Sequence, residues 1–231
     1  MSQLELVQVQ PEVARLTQDY YNTVRTTIQF KGPDCKTIVI TSVQTGEGKT
    51  TVAVNLASAF ARAGFRTLLL DADTGGDDFS GAFTSSEDCQ GLADFLAGQA
   101  ELSDVIYETD IEHLMVAPAG SKEAAQVNLL QNADFSQMIK TVRDLYDYVI
   151  MDTPSIGLKL DAAIIARNAD ASILVAEAGA TKRRFLQKAK SQMQQSGAEF
   201  LGVILNKADI PENSNPYKIQ GRQVKKQTAE K

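Results

Sequence analysis

The sequence predicts an α/β fold: a mostly parallel sheet covered by helices on both faces. Three observations carry that expectation. Strand-like and helical runs alternate along most of the 231 residues. Several strand runs, such as Leu68-Leu69-Leu70 and Ile173-Leu174-Val175, are continuously apolar, as strands are when helices cover both their faces. One strand also runs straight into a glycine-rich turn that opens a helix.

The first element is a helix over about residues 11–30. Val13, Leu16, Tyr20, Val24 and Ile28 recur at intervals of 3, 4, 4 and 4 from Pro11, and Gly32-Pro33 ends the run. Strands are expected over Thr37–Thr41, Thr67–Leu70, Leu114–Ala117, Tyr148–Met151, Ser172–Ala176 and Leu201–Leu205. Helices are expected over Lys49–Ala63, Leu92–Leu96, Ala133–Leu145, Leu160–Arg167 and Arg183–Gln195. Beyond Ala208 the apolar pattern dissolves into Pro, Asn, Ser, Gln and Lys, so residues 1–209 are expected to form one domain and 210–231 a mobile basic tail.

Composition narrows the function. With 43% apolar and 23% charged residues the chain reads as soluble and globular, and a net charge of −6 argues against nucleic acid as a partner. The charge is uneven: from Ser214 onward five basic residues face one acid, leaving that end +4 and the rest −10. Apolar stretches are strand-length, short of the roughly 20 residues a membrane helix needs. Met1–Gln10 has no basic leader before an apolar core, so a cytoplasmic location is expected. Cys35 and Cys89 lie far apart, and His113, read as a strand-edge residue, is the only histidine. Zinc, a redox pair and a Ser-His-Asp triad are therefore disfavoured.

The strand Thr37–Thr41 leads into Ser42-Val43-Gln44-Thr45-Gly46-Glu47-Gly48-Lys49-Thr50-Thr51 and then a helix, the context of a P-loop. Gly46 and Gly48 let backbone N–H groups turn inward around phosphate oxygens at the positive end of that helix. Thr45 to Thr51 would cradle a nucleotide's phosphates, Lys49 would reach the β- and γ-phosphates, and the Thr50 hydroxyl would ligate Mg²⁺. The strict pattern begins with glycine, where this chain has Val43. Two further strands end in acids: Leu68-Leu69-Leu70-Asp71-Ala72-Asp73, and Tyr148-Val149-Ile150-Met151-Asp152-Thr153-Pro154, a Walker-B pattern. In an open parallel sheet the ligand crevice lies beyond the carboxyl ends of the strands, so the acids and the loop converge there. The fold expected is that of a P-loop NTPase.

These three motifs, with Asn128-Leu129-Leu130 and Leu201-Gly202-Val203-Ile204-Leu205-Asn206-Lys207, resemble the bacterial tyrosine kinases of capsule and exopolysaccharide synthesis. The likeness runs from about Arg15 to Asp209 and is greatest to the split form, whose activator is a separate membrane protein. It implies that Lys49 and Thr50 bind ATP and Mg²⁺, that Asp71 and Asp73 share base and metal duties, and that Asp152 serves the metal. Which of Asp71 and Asp73 is the base stays open. It places Asn206 near the nucleotide base. It also implies self-association as a ring or trans pair, and a membrane-anchored polysaccharide co-polymerase as activator that recruits the chain to the inner face of the plasma membrane.

The chain departs from that family in several places. Of the Glu-x-x-Arg-x-x-Arg assembly pattern on the first helix, it offers Asp19, Asn22 and Arg25, keeping the last position. Thr74-Gly75-Gly76-Asp77-Asp78 replaces an Arg-rich turn, and Ser121-Lys122-Glu123-Ala124-Ala125 a proline-rich stretch. The usual cluster of acceptor tyrosines at the end is reduced to Tyr217. Tyr217 is nonetheless the expected phosphoacceptor, since Tyr20 falls on the helical stripe, Tyr146 and Tyr148 flank the Walker-B strand, and Tyr107 follows a short helical run.

Three other readings compete on particular residues. Septum- and plasmid-positioning ATPases carry a signature lysine where Gln44 stands. Asn206-Lys207-Ala208-Asp209 matches the guanine-recognition pattern NKxD, but Asp152-Thr153-Pro154-Ser155 does not supply the DxxG of a GTPase. A nucleotide-binding scaffold with weak or lost kinase activity is the third. Lys182-Arg183-Arg184, at the start of a helix, reads as a solvated basic face.

Overall fold

The computed structural model describes residues 3–6, 11–74, 83–84, 89–121, 129–157 and 161–208. Its strands are β1 (Gln3–Leu6), β2 (Thr37–Ser42), β3 (Thr67–Asp71), β4 (Phe83–Thr84), β5 (Tyr107–Thr109), β6 (Leu114–Ala117), β7 (Tyr148–Asp152), β8 (Ala171–Glu177) and β9 (Glu199–Asn206). The helices are α1 (Pro11–Gln29), α2 (Lys49–Ala61), α3 (Leu92–Leu96), α4 (Ala133–Leu145), α5 (Asp161–Ala166) and α6 (Arg183–Gln195). The nine strands form one sheet in the order β4-β1-β5-β6-β3-β7-β2-β8-β9. The six strands from β6 to β9 in that order are mutually parallel, while β5 runs antiparallel to β6.

Apolar strands are needed because both faces are covered. On one face, Ile38 and Ile40 of β2, Leu69 of β3 and Ile150 of β7 pack with Val52, Leu56 and Phe60 of α2 and Ile28 of α1. On the other, Val39, Leu68, Leu70, Val149 and Met151 pack with Phe135, Ile139 and Val142 of α4, Ile165 of α5 and Met193 of α6. Alternate residues of one strand thus serve two cores, which is why the centres of these strands are continuously apolar. Burying each large side chain contributes about 1.5–3 kcal/mol, which holds the strand ends in fixed positions.

One local expectation is corrected and two are refined. The buried face of α1 carries Tyr21, Val24 and Ile28, whereas Tyr20 is 41% exposed. The 3- and 4-residue steps back from Ile28 lead to Tyr21, whose phenol burial pushes up to about 12. Tyr107 follows the short 3-10 helix Leu102–Asp104, as expected, but itself begins β5, and its hydroxyl donates to the Gln90 carbonyl at 3.0 Å. His113 sits in the turn before β6 with φ 68°, its carbonyl accepting from the Thr67 N–H at 2.9 Å. Asn128, residues 75–78 and the segment from residue 209 onward, with Tyr217, lie outside the described residues.

Strand register sets up the crevice. β7 lies between β3 and β2, pairing Asp152 with Asp71 on one side and with Ile40 on the other. Beyond that point β2 continues to Ser42 and enters the glycine-rich loop.

Candidate active site

The loop from Val43 to Gly48 turns through two left-handed glycines, Gly46 (φ 82°) and Gly48 (φ 87°). Such a φ costs an L-residue roughly 1–2 kcal/mol, and glycine avoids that cost. Gly48 also needs to lack a side chain for room: a Cβ there would stand 2.1 Å from Asn206 Nδ2. No side chain caps α2, so its first N–H groups remain available to an anion. The loop carbonyls are engaged elsewhere. Ser42 Oγ donates to the Gln44 carbonyl at 2.8 Å, Lys207 Nζ to that of Gly46 at 2.7 Å, and Asn206 Nδ2 to that of Glu47 at 2.9 Å.

Glu47 is buried, and its carboxylate is taken up within the protein. Oε2 accepts from the Gln44 N–H at 2.8 Å, and Oε1 accepts from the Thr181 hydroxyl. What Glu47 can offer a nucleotide is therefore its backbone. Val43, at the position where strict P-loops have glycine, is buried in the core. The glycine required for close approach stands opposite it: a Cβ on Gly157 would lie 2.1 Å from the Val43 carbonyl oxygen. Thr41 Oγ1 donates to the Pro154 carbonyl at 2.8 Å, Thr153 Oγ1 donates to the Ile40 carbonyl at 3.0 Å, and Ser42 Oγ lies 2.8 Å from Ser155 Oγ. These bonds lock the end of β7 against the start of the loop.

The predicted site residues come together at this end of the sheet. Lys49, almost fully buried, sets its Nζ 3.3 Å from Asp73 Oδ2. The Thr50 hydroxyl donates to Asp152 Oδ2 at 2.5 Å. Asp71 is 3% exposed, and its Oδ1 accepts from the Asp73 N–H at 2.9 Å. Burial, followed by the neighbouring Asp152 charge, raises the Asp71 pKa well above the usual carboxylate range, while Lys49 pulls the other way. Thr45 and Thr51 are exposed on the loop and the first turn of α2.

The donor set fits magnesium: a threonine hydroxyl and carboxylate oxygens, hard ligands beside a phosphate cradle. Among the described residues no three His, Cys, Asp or Glu side chains form a metal cluster of their own. An ion here would complete its shell with phosphate and water oxygens, as magnesium commonly does. Sequence reasoning missed Glu177, Thr181 and Gly157. Lys207 was seen only beside Asn206.

A strand-to-helix phosphate loop facing acids on two neighbouring strand ends defines a P-loop nucleotide-binding protein, and a family model described as an AAA domain matches residues 35–187. The tyrosine-protein kinase CpsD of Streptococcus agalactiae serotype III is 48% identical over 209 residues, 90% of this chain and 90% of the relative. The crystal structure of the chimerical protein CapA2B2 matches with a TM-score of 0.76 at 26% identity, covering 89% of this chain and 93% of that one. The septum site-determining protein MinD from Pyrococcus horikoshii, complexed with Mg-ADP, matches with a TM-score of 0.63 at 30% identity, covering 77% of this chain and 74% of that one. The chain belongs to the family of bacterial tyrosine-protein kinases. Among the described residues, no helix is long and apolar enough to cross a membrane.

Proposed function

We propose that this chain is an ATP- and Mg²⁺-dependent tyrosine kinase that phosphorylates other copies of itself and thereby regulates capsular or exopolysaccharide synthesis. The observation that carries the reading is the convergence of Lys49, Asp71, Asp73 and the Thr50–Asp152 pair on one phosphate loop. Phosphoryl transfer demands positioning and charge stabilisation more than covalent chemistry. The loop N–H groups and Lys49 bind and orient the donor phosphates of ATP. Thr50 and Asp152, with Asp73, would hold Mg²⁺, which supplies neutralisation of phosphate charge when bound. Asp71 or Asp73 accepts the proton of the tyrosine hydroxyl, and Asp73 also holds the Lys49 ammonium in the crevice. Asn206 borders the nucleotide beside Gly48.

The acceptor in this reading is Tyr217, in a segment that sequence pattern alone marks as able to reach a neighbour. The chain works at the cytoplasmic face of the membrane, recruited by a membrane-anchored activator of the polysaccharide co-polymerase type. The relatives' family and the basic residues after Ser214 support this. Mixing Lys49→Met protein with intact-site Tyr217→Phe protein, then adding ATP and Mg²⁺, should label the first and leave the second nearly unlabelled. Equal labelling of the Tyr217→Phe chain would overturn Tyr217 as acceptor. Nucleotide binding with no labelling in any mixture would favour the scaffold reading.

A further inference from the structure

Three side chains from two segments distant in sequence are fastened to the phosphate loop from behind. Asn206 reaches back 159 residues to Glu47, Lys207 reaches 161 to Gly46, and Thr181 reaches 134 to Glu47. Lys207 adopts φ 55°, a left-handed conformation uncommon for a residue with a side chain, and its Nζ is shared between the Gly46 carbonyl and Glu177 Oε2 at 2.9 Å. The Thr181 hydroxyl is fully used: it accepts from the Glu177 N–H at 3.1 Å and donates to the Glu47 carboxylate. The Ala178 N–H donates to the Asn206 carbonyl at 2.9 Å, tying the ends of β8 and β9 together behind the loop. An anion nest works only if successive carbonyls face away while the N–H groups converge. Here the Gly46 and Glu47 carbonyls are each held by a side-chain donor from β9 or just beyond it.

We infer that Lys207 and Thr181 are positioning residues for phosphotransfer, a role resting on the nucleotide-site reading above. Lys207 holds the Gly46 carbonyl outward, and Thr181 holds Glu47, so the loop is already shaped for a polyphosphate before one arrives. Neither residue touches the reacting atoms in this account. Pre-organisation of this kind acts on ground and transition states alike, so its loss raises KM and Kd for nucleotide more than it lowers kcat.

The test uses the full chain with Lys207→Met, Lys207→Arg, Thr181→Val and Thr181→Ser. Binding of a fluorescent ATP analogue with Mg²⁺ is titrated, and nucleotide-free melting is recorded in parallel. Lys207→Met and Thr181→Val should each weaken nucleotide binding roughly tenfold, the scale of one lost charge-assisted hydrogen bond. The nucleotide-free melting temperature should stay within about 3 °C of the parent. Lys207→Arg and Thr181→Ser, which keep a donor, should recover most of the affinity. Unchanged affinity in Lys207→Met and Thr181→Val would overturn the inference. So would a lowered melting temperature with affinity intact, which is what a merely structural contact would give. If Lys207→Met does not fold, the Thr181 pair decides the question in the same way. Because binding is read without phosphotransfer, a parent chain that makes no phosphotyrosine would count against the kinase reading and leave this inference standing.

Discussion

Replacing Gly48 by alanine isolates the geometry on which the phosphate loop depends. At φ 87° the added methyl confers backbone strain of about 1 kcal/mol, the usual cost of left-handed geometry for an L-residue. The methyl would also stand 2.1 Å from Asn206 Nδ2, well inside van der Waals contact, so the amide must swing away. Its 2.9 Å bond to the Glu47 carbonyl would then be lost, for about another 1 kcal/mol. The sum of about 2 kcal/mol corresponds to roughly 4–8 °C in melting temperature for a chain of this size. Gly46 is the internal control: it has φ 82°, yet a Cβ there meets nothing within 4 Å. Gly46→Ala should therefore show the backbone part alone, about 2–4 °C. Thermal melts of both variants, and of Gly48→Ala in an Asn206→Ala background, make the assay. In that background the collision is gone and Gly48→Ala should behave like Gly46→Ala. Equal losses for Gly46→Ala and Gly48→Ala in the parent chain would refute the proposed approach of Asn206 to the loop.

Two further outcomes follow from the acids. Asp71 has a folded pKa well above its unfolded one, so over the interval between them the folded state binds more protons. Nucleotide- and metal-free stability should therefore fall as pH rises from about 4 through the folded pKa, and Asp71→Asn should abolish that slope. Melting in EDTA across that range checks it: Asp71→Asn should be the more stable protein at neutral pH while losing phosphotransfer, and a less stable variant there would contradict the burial argument. Asp152→Asn should keep the fold but shift the Mg²⁺ activation of phosphotransfer upward by about tenfold or more, measured by titrating Mg²⁺ at fixed ATP. An unshifted Mg²⁺ curve would remove Asp152 from the metal site.

The central architecture was legible because its signals are local. A strand with six buried residues flowing into Gly46-Glu47-Gly48-Lys49-Thr50 declares itself, as do the acids ending β3 and β7. β1, β4 and β5 were not, because two to four residues at a sheet edge have little periodicity and form only where a partner strand accepts them. Helix ends were off by small amounts for a physical reason. α2 stops at Ala61 because Arg62–Gly64 turn away, the Gly64 N–H closing on the Ala61 carbonyl at 2.8 Å. In the site, motif spacing placed Lys49, Thr50 and Asp152 but not the clasp of Glu177, Thr181 and Lys207. The bonds of Thr181 to Glu47 and of Lys207 to Gly46 join residues more than 130 positions apart, and no local pattern encodes them. Likewise the close approach of Gly157 to the Val43 carbonyl joins residues more than 100 positions apart and has no local signal.

Phosphotyrosine formation by the purified chain and by its Lys49→Met variant, with Mg²⁺ and either ATP or GTP, tests the central claim most directly. Lys49 is buried beside Asp73 at the crevice, and removing a cation that meets developing phosphoryl charge costs several kcal/mol of barrier, roughly a factor of 100–1,000 in rate. The parent chain should gain phosphotyrosine with ATP, with GTP a poor substitute, and Lys49→Met should gain none while melting as a folded protein. Undiminished labelling of Lys49→Met, tighter use of GTP than ATP, or no phosphotyrosine in the parent chain would contradict the account.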